Sequence, residues 1–143
     1  MGRHERSRRE GILLEAVDPT TGKKCQVQIS FARMHAVGKR SLGHAAECGY
    51  IVPLVLQEPT AIFDGLRREE DEDRWGYGWR CYCGVPNRSY GIDGREAAPY
   101  PGQVYLVFVN DQSVAYNWRW EKCDPQDPTL PMGHEARFKR RLL

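Results

Sequence analysis

Residues 103–121, QVYLVFVNDQSVAYNWRWE, decide how the fold is read. Asn110 and Asp111 lie between two runs rich in Val, Tyr, Phe and Trp, and both tolerate the positive φ of a two-residue hairpin turn. That turn predicts a register in which Val109 faces Gln112, Val107 faces Val114, Tyr105 faces Tyr116 and Val104 faces Asn117. Period-2 alternation then gives one face Tyr105, Val107, Val114, Tyr116, Trp118 and Trp120, and the other Val104, Leu106, Phe108 and Ala115. The second face turns polar at Asn117, Arg119 and Glu121. Both faces read as covered, so the pair belongs in the interior of a sheet. The polar trio is either a site or the point at which the strand reaches solvent.

The flanking chain reads as α+β, with helices toward the N-terminus packed on an antiparallel sheet of about four strands. KCQVQIS (24–30) alternates Cys25, Val27 and Ile29 with polar residues, the pattern of a strand with one wet face. Residues 31–48 turn helical, as one helix or as two, with Ser41 available to cap the second. YIVPLVL (50–56) carries a central Pro and reads as an edge strand or an extended connection. A helix is expected from Pro59 through the acidic run 69–73, which has the composition of a solvated helix end or loop. In WGYGWRCYC (75–83) the aromatic residues, Cys81 and Cys83 share one strand face, and Arg80 and Tyr82 the other. Residues 84–102 are rich in turn formers, and GHEARFKRRLL (133–143) reads as a terminal helix with Phe138 and Leu142 on one face.

At 143 residues the chain fits one domain, 11–143, behind a basic, disordered leader, 1–10. The net charge of +2 is uneven. Residues 1–10 carry +2 and residues 132–143 carry +3, which leaves the body at −3. Such a body does not by itself call for nucleic acid, and basic ends are compatible with it. Five cysteines, an odd number without a secretory mark, predict reduced thiols. No run is apolar enough to span or target a membrane, so the expected compartment is cytoplasmic.

Three groups of residues carry candidate chemistry. His35 and His44 are nine apart and fall on opposite faces of a straight helix, yet each has a cation at i±4, Lys39 and Arg40 respectively. A neighbouring cation favours neutral imidazole, suited to a general base or a phosphate site. Cys81, Cys83, Cys123 and His134 make four metal ligands on paper, but their spacing is wrong for a zinc knuckle, so no metal is assigned. No phosphate-binding glycine loop, nucleophile elbow or HExxH string is present, and no cofactor is expected. Cleavage of RNA needs a base for the 2′-hydroxyl, an acid for the leaving oxygen and cations around the phosphorane. Arg80 and Arg119 supply cations if their strands turn the same face forward. Glu121 is the candidate base, His35 or His44 the acid, and Tyr82 and Asn117 orienting groups, with Lys39 and Arg40 on the substrate.

The order of elements resembles the broad superfamily of barnase-, colicin- and RelE-like ribonucleases. Helices bearing His come first, then the Pro-led LVLQEPTAIFDG, then antiparallel strands ending in VYLVFVNDQSVAYNWRWE. The likeness covers roughly residues 24–123 as layout. It implies a metal-independent endoribonuclease of toxin type whose active face is the sheet, with His35 or His44, Arg80, Asn117, Arg119 and Glu121 at the matching positions. RNA is the implied partner, with an inhibitor or partner protein beside it. The rival reading is a non-catalytic protein-interaction module, since four Trp and seven Tyr, concentrated between residues 75 and 120, also suit a contact surface. A concave site joining one His to Arg80 and Arg119 marks the enzyme, whereas an exposed aromatic patch marks the module.

Overall fold

A computed structural model describes residues 11–38, 47–66, 80–86, 89–90, 96–97 and 102–143. The chain opens with an antiparallel hairpin of β1 (Gly11–Val17) and β2 (Lys24–Ser30), in register from Gly11↔Ser30 to Val17↔Lys24. Asp18 closes its turn by accepting from the Thr20 backbone N–H at 2.9 Å and hydroxyl at 2.5 Å. Helix α1 (Phe31–Gly38) follows, and a π-helical turn (Glu47–Ile51) leads into α2 (Val52–Gln57).

The remaining strands build the main sheet. They are β3 (Ala61–Leu66), β4 (Arg80–Gly84), β7 (Gln103–Val109), β8 (Ala115–Asp124), β9 (Asp127–Pro131) and β10 (Phe138–Arg141), with α3 (His134–Arg137) between the last two. The short strands β5 (Ser89–Tyr90) and β6 (Glu96–Ala97) pair with each other. The six-stranded sheet has the order β10-β3-β4-β7-β8-β9, antiparallel throughout. It curls: β9 also packs on β4 and β7, and the Thr60 hydroxyl beside β3 donates to the Thr129 carbonyl of β9 at 3.2 Å.

Alternation divides the sheet's side chains into two cores. Ile62, Tyr82, Tyr105, Val107 and Trp118 face the β1–β2 hairpin and α2, where they meet Val27, Ile29, Val52, Val55 and Leu56. Ala61, Phe63, Cys81, Cys83, Val104, Leu106 and Phe108 face the opposite way and are closed over by Tyr116, Leu130 and Phe138. Strand β7 is therefore buried on both sides from Val104 to Val109. Helix α1 is tied to the sheet by Arg33, which donates from Nε and Nη2 to the Tyr116 carbonyl and stacks 3.9 Å from the Tyr116 ring centroid.

This architecture corrects the expected α+β class. The molecule is mostly sheet, with three short helices among the described residues and a six-stranded sheet in place of about four strands. The hairpin turn is longer than two residues. The Asn110 N–H donates to the Val114 carbonyl at 3.0 Å, Ser113 takes φ 60°, and Val109 pairs with Ala115. A bulge follows, so Phe108 pairs with Asn117, Val107 with Trp118 and Tyr105 with Trp120. Residues 52–57 are helix α2, because Pro53 falls in the first turn, where its missing N–H costs nothing.

The segment after Pro59 is strand β3, buried on both faces at Ala61, Ile62 and Phe63, which erases the alternation that would have marked it. The terminal helix is one turn, His134 to Arg137, before the chain extends as β10 against β3. Strand β1 carries the inward set Ile12, Leu14 and Ala16, which the sequence reading missed. The leader 1–10, the capping Ser41, the acidic run 69–73 and the aromatic residues 75–79 lie outside the described residues. No helix among the described residues is long and apolar enough to cross a membrane.

Two expectations test the packing. At Gly84 a methyl group would stand 2.9 Å from Val55 Cγ2, and the branched Val side chain has little room to turn away. Gly84→Ala should lower stability by about 1–3 kcal/mol, read as a reduced urea midpoint with unchanged slope. Tyr82 donates its hydroxyl to the Val17 carbonyl at 2.7 Å, and burial pushes its ionisation up to about 12, with Cys25 adding and Arg80 opposing. Because the folded value is raised, the stabilisation is complete below the ordinary tyrosine value of about 10 and is lost as pH rises through about 12. Tyr82→Phe should cost about 1–3 kcal/mol at neutral pH by leaving the carbonyl unmatched, and should flatten the stability profile between those two pH values.

Candidate functional site

Alternation along β8 turns Asn117, Arg119 and Glu121 to the same side as Phe108, Leu106 and Val104, their partners on β7. The face is apolar on β4 and β7 and turns polar on the neighbouring strand β8. The Arg119 guanidinium lies 4.8 Å from the Phe108 ring centroid, resting its plane on the last apolar ring of the face. Its Nε donates to Glu121 Oε2 at 2.8 Å. Arg137 reaches the same carboxylate from α3, with Nη1 to Oε1 at 2.7 Å and Nη2 to Oε2 at 3.2 Å. Glu121 therefore receives three charge-assisted hydrogen bonds. A carboxylate offers about four lone-pair sites, so roughly one remains, on Oε1.

Exposure separates the two arginines. The Arg137 side chain is 4% exposed and that of Arg119 is 40%. Arg137 is enclosed, with its guanidinium 5.4 Å from the Phe138 ring, and serves to fix α3 against β8. Arg119 is committed only through Nε. Its two terminal amino groups make no hydrogen bond among the described residues.

His134 stands one helical turn before Arg137, on the same side of α3. Its Nε2 lies 3.2 Å from Asp124 Oδ2, and its ring is 5.7 Å from Phe63, which in turn stacks on Phe138 at 4.7 Å. Asp124 thus engages the imidazole through Nε2. Beneath the cluster, burial pushes the Cys81 thiol well above its ordinary range, its neighbour Cys83 adds to the shift, and the Arg137 charge opposes it. The floor is therefore protonated and apolar. Both thiols are buried in that core.

The structure does not bring together all the residues singled out from the sequence. Arg80 pairs with Val109 on β7 and shares its face with Tyr82, the side opposite Arg119 and Glu121. The two expected cations are separated by the thickness of the sheet. The Tyr82 hydroxyl is spent on the Val17 carbonyl, so it does not orient a substrate, and its ring lies on the face away from Arg119 and Glu121. His35 is exposed on α1, which reaches β8 at Tyr116, five residues or roughly 16 Å along the strand from Glu121. His44, Lys39 and Arg40 lie outside the described residues. Asn117, Arg119 and Glu121 do share a face, and Asn117 Oδ1 accepts from the Trp118 N–H at 2.9 Å. His134 and Arg137 are additions. Their i, i+3 spacing in HEAR was the available signal, within a segment that reads as a short terminal helix with Phe138 and Leu142 on one face.

The triad's energetics follow from its exposure. Removing the carboxylate in Glu121→Ala takes from the buried Arg137 both of its hydrogen bonds to Glu121, and should cost about 3–5 kcal/mol in urea unfolding. Arg119→Ala, at a half-exposed pair, should cost less than about 1 kcal/mol.

No protein-family model, no curated protein and no solved structure matches this chain.

Proposed function

We propose that the chain is a metal-independent endoribonuclease working at Arg119, Glu121, Arg137 and His134. The observation that carries this reading is the Arg119 guanidinium, anchored to Glu121 by Nε with both terminal amino groups unengaged among the described residues. A planar fork held in this way recognises two phosphate oxygens with little ordering cost. The proposal keeps the resemblance to barnase-, colicin- and RelE-like ribonucleases, with the sheet as the working face, and assigns the acid to His134 in place of His35 or His44.

Cleavage would proceed by transesterification. The free lone pair of Glu121 Oε1 accepts the proton of the RNA 2′-hydroxyl, and the 2′-oxygen attacks the adjacent phosphorus. Arg119 stabilises the charge that accumulates on the non-bridging oxygens, while the enclosed Arg137 holds the carboxylate in line. His134, oriented by Asp124, donates a proton to the departing 5′-oxygen. The products are a 2′,3′-cyclic phosphate and a free 5′-hydroxyl, and no metal takes part in the step.

Incubation of the full chain with labelled RNA in EDTA should yield fragments with those ends. Arg119→Ala should reduce the rate by about 10²–10³-fold. His134→Ala should reduce it by about 10²–10⁴-fold. Both variants should keep the parent's circular dichroism. Intact RNA with the parent protein, or undiminished cleavage by both variants, would remove the assignment.

A further inference from the structure

On the sheet face turned away from Glu121, a cleft of about 290 Å³ lies beside the turn that joins β7 to β8. That volume is at the lower end of small-molecule sites, roughly 300–1,000 Å³. Its walls include Cys25 and Val27 of β2, Tyr82 of β4 and Val109 of β7. Polar residues also line it: Asp64, Arg80, Asn110, Asp111 and Ser113.

Asn110 is the informative member. It is 9% exposed, and its Oδ1 accepts from the backbone N–H groups of Gln112 and Val114, both at 3.0 Å. Since both partners are donors, the oxygen is fixed on that side and Nδ2 must point away from the turn. Nδ2 has no partner among the described residues. An Asp would cap the same two N–H groups equally well, so the amide nitrogen is surplus to the turn. Nδ2 is therefore a donor available to whatever occupies the cleft.

The charges have the same incomplete character. Asp64 and Arg80 stand opposite each other in the β3–β4 register, where side chains of opposite sign ordinarily pair. Instead Arg80 meets Asp18 at 4.0 Å, and Asp64 Oδ2 accepts from Arg140 at 2.8 Å. Asp64 Oδ1 is left over, and Asp111 has no hydrogen bond or ion pair among the described residues. The cleft thus offers two donors, Arg80 and Asn110 Nδ2, and two acceptors, Asp64 and Asp111.

We infer that this cleft binds a small zwitterion of amino-acid type. Its carboxylate is held by Arg80 and Asn110 Nδ2, its ammonium by Asp64 and Asp111, and its carbon skeleton rests on Val27, Val109 and the Tyr82 ring. A polyanion is disfavoured by the two carboxylates. The Tyr82 hydroxyl, committed to Val17, takes no part. The site is independent of the ribonuclease proposal, because Arg80 and Arg119 are on opposite faces of the sheet.

The test is a titration of the ¹⁵N-labelled full chain with glycine, and separately with acetate and with methylammonium at matched ionic strength. The readout is the Asn110 side-chain NH₂ pair and, in Asn110→Asp, the backbone amides of Val109, Asp111 and Ser113 beside the cleft. Glycine should shift it saturably, and the two half-ligands should bind about tenfold or more weakly. Arg80→Gln, and Asn110→Asp, which keeps the turn-capping oxygen, should each weaken glycine by about 10–100-fold with the backbone spectrum retained. Non-saturating shifts shared by all three probes, acetate or methylammonium binding as well as glycine, or an unweakened Arg80→Gln, would overturn the inference.

Discussion

Burial of β7 on both faces is the constraint from which the rest of the molecule follows. From Val104 to Val109 no residue is more than 4% exposed, so the strand needs an apolar layer on each side and a paired neighbour at each edge. Each large side chain buried there is worth about 1.5–3 kcal/mol, whereas an exposed ion pair is worth about 0–1 kcal/mol. The two cores therefore set the fold, and charged groups take the positions that the cores leave at the rim. Strand β8, paired with β7 on one edge, places Trp118 on one side and Arg119 and Glu121 on the other within this rule.

The rim positions are nevertheless fixed, and the fixing comes from the chain's last residues. Arg137 is enclosed and bidentate on Glu121, which locks α3 to β8. The chain then runs back along β3 as β10, and the N–H groups of Leu142 and Leu143 both donate to the Ile62 carbonyl. One carboxylate on β8 thus organises the approach of the strand at the far edge of the same sheet. A buried pair of this kind contributes little net stability, since desolvation offsets attraction, but it strongly disfavours other arrangements of the same segments.

The sequence was legible where one face was wet and where parity alone mattered. KCQVQIS became β2 with the bounds expected, because its alternation survives in the burial of Val27 and Ile29. The hairpin was read with the wrong register, pairing Val107 with Val114 in place of Trp118. The slip is four residues, an even number, so Arg119 and Glu121 still fell on the face of Leu106 and Val104. Ala115 and Tyr116 exchanged faces because the bulge at Phe108/Val109 adds one residue, and no local signal marks it. Misreadings gathered where both faces are buried or a helix is a single turn, as at Ala61 to Phe63 and His134 to Arg137, since neither case leaves a period to detect. The relation of Arg80 to Arg119 depends on the β4–β7 register, and within either strand the sequence carries no information about it.

The location of that terminal segment also bears on how an acidic body would accommodate the phosphate-binding site proposed at Arg119. Summed over the chain, the central region carries −3 and residues 132–143 carry +3. Screening in physiological salt acts over about 8 Å, so a bound phosphate responds to its near neighbours far more than to the total. Around Arg119 those neighbours include Arg137, delivered by the basic segment, and Glu121 is the carboxylate they share. With both guanidinium groups on one carboxylate, the cluster's formal charge is positive. Arg80 stands among Asp18, Asp64 and Asp111, with Arg140 the other cation, so its surroundings have the opposite sign. The same sheet therefore gives two arginines opposite fields on its two faces, and net charge predicts neither.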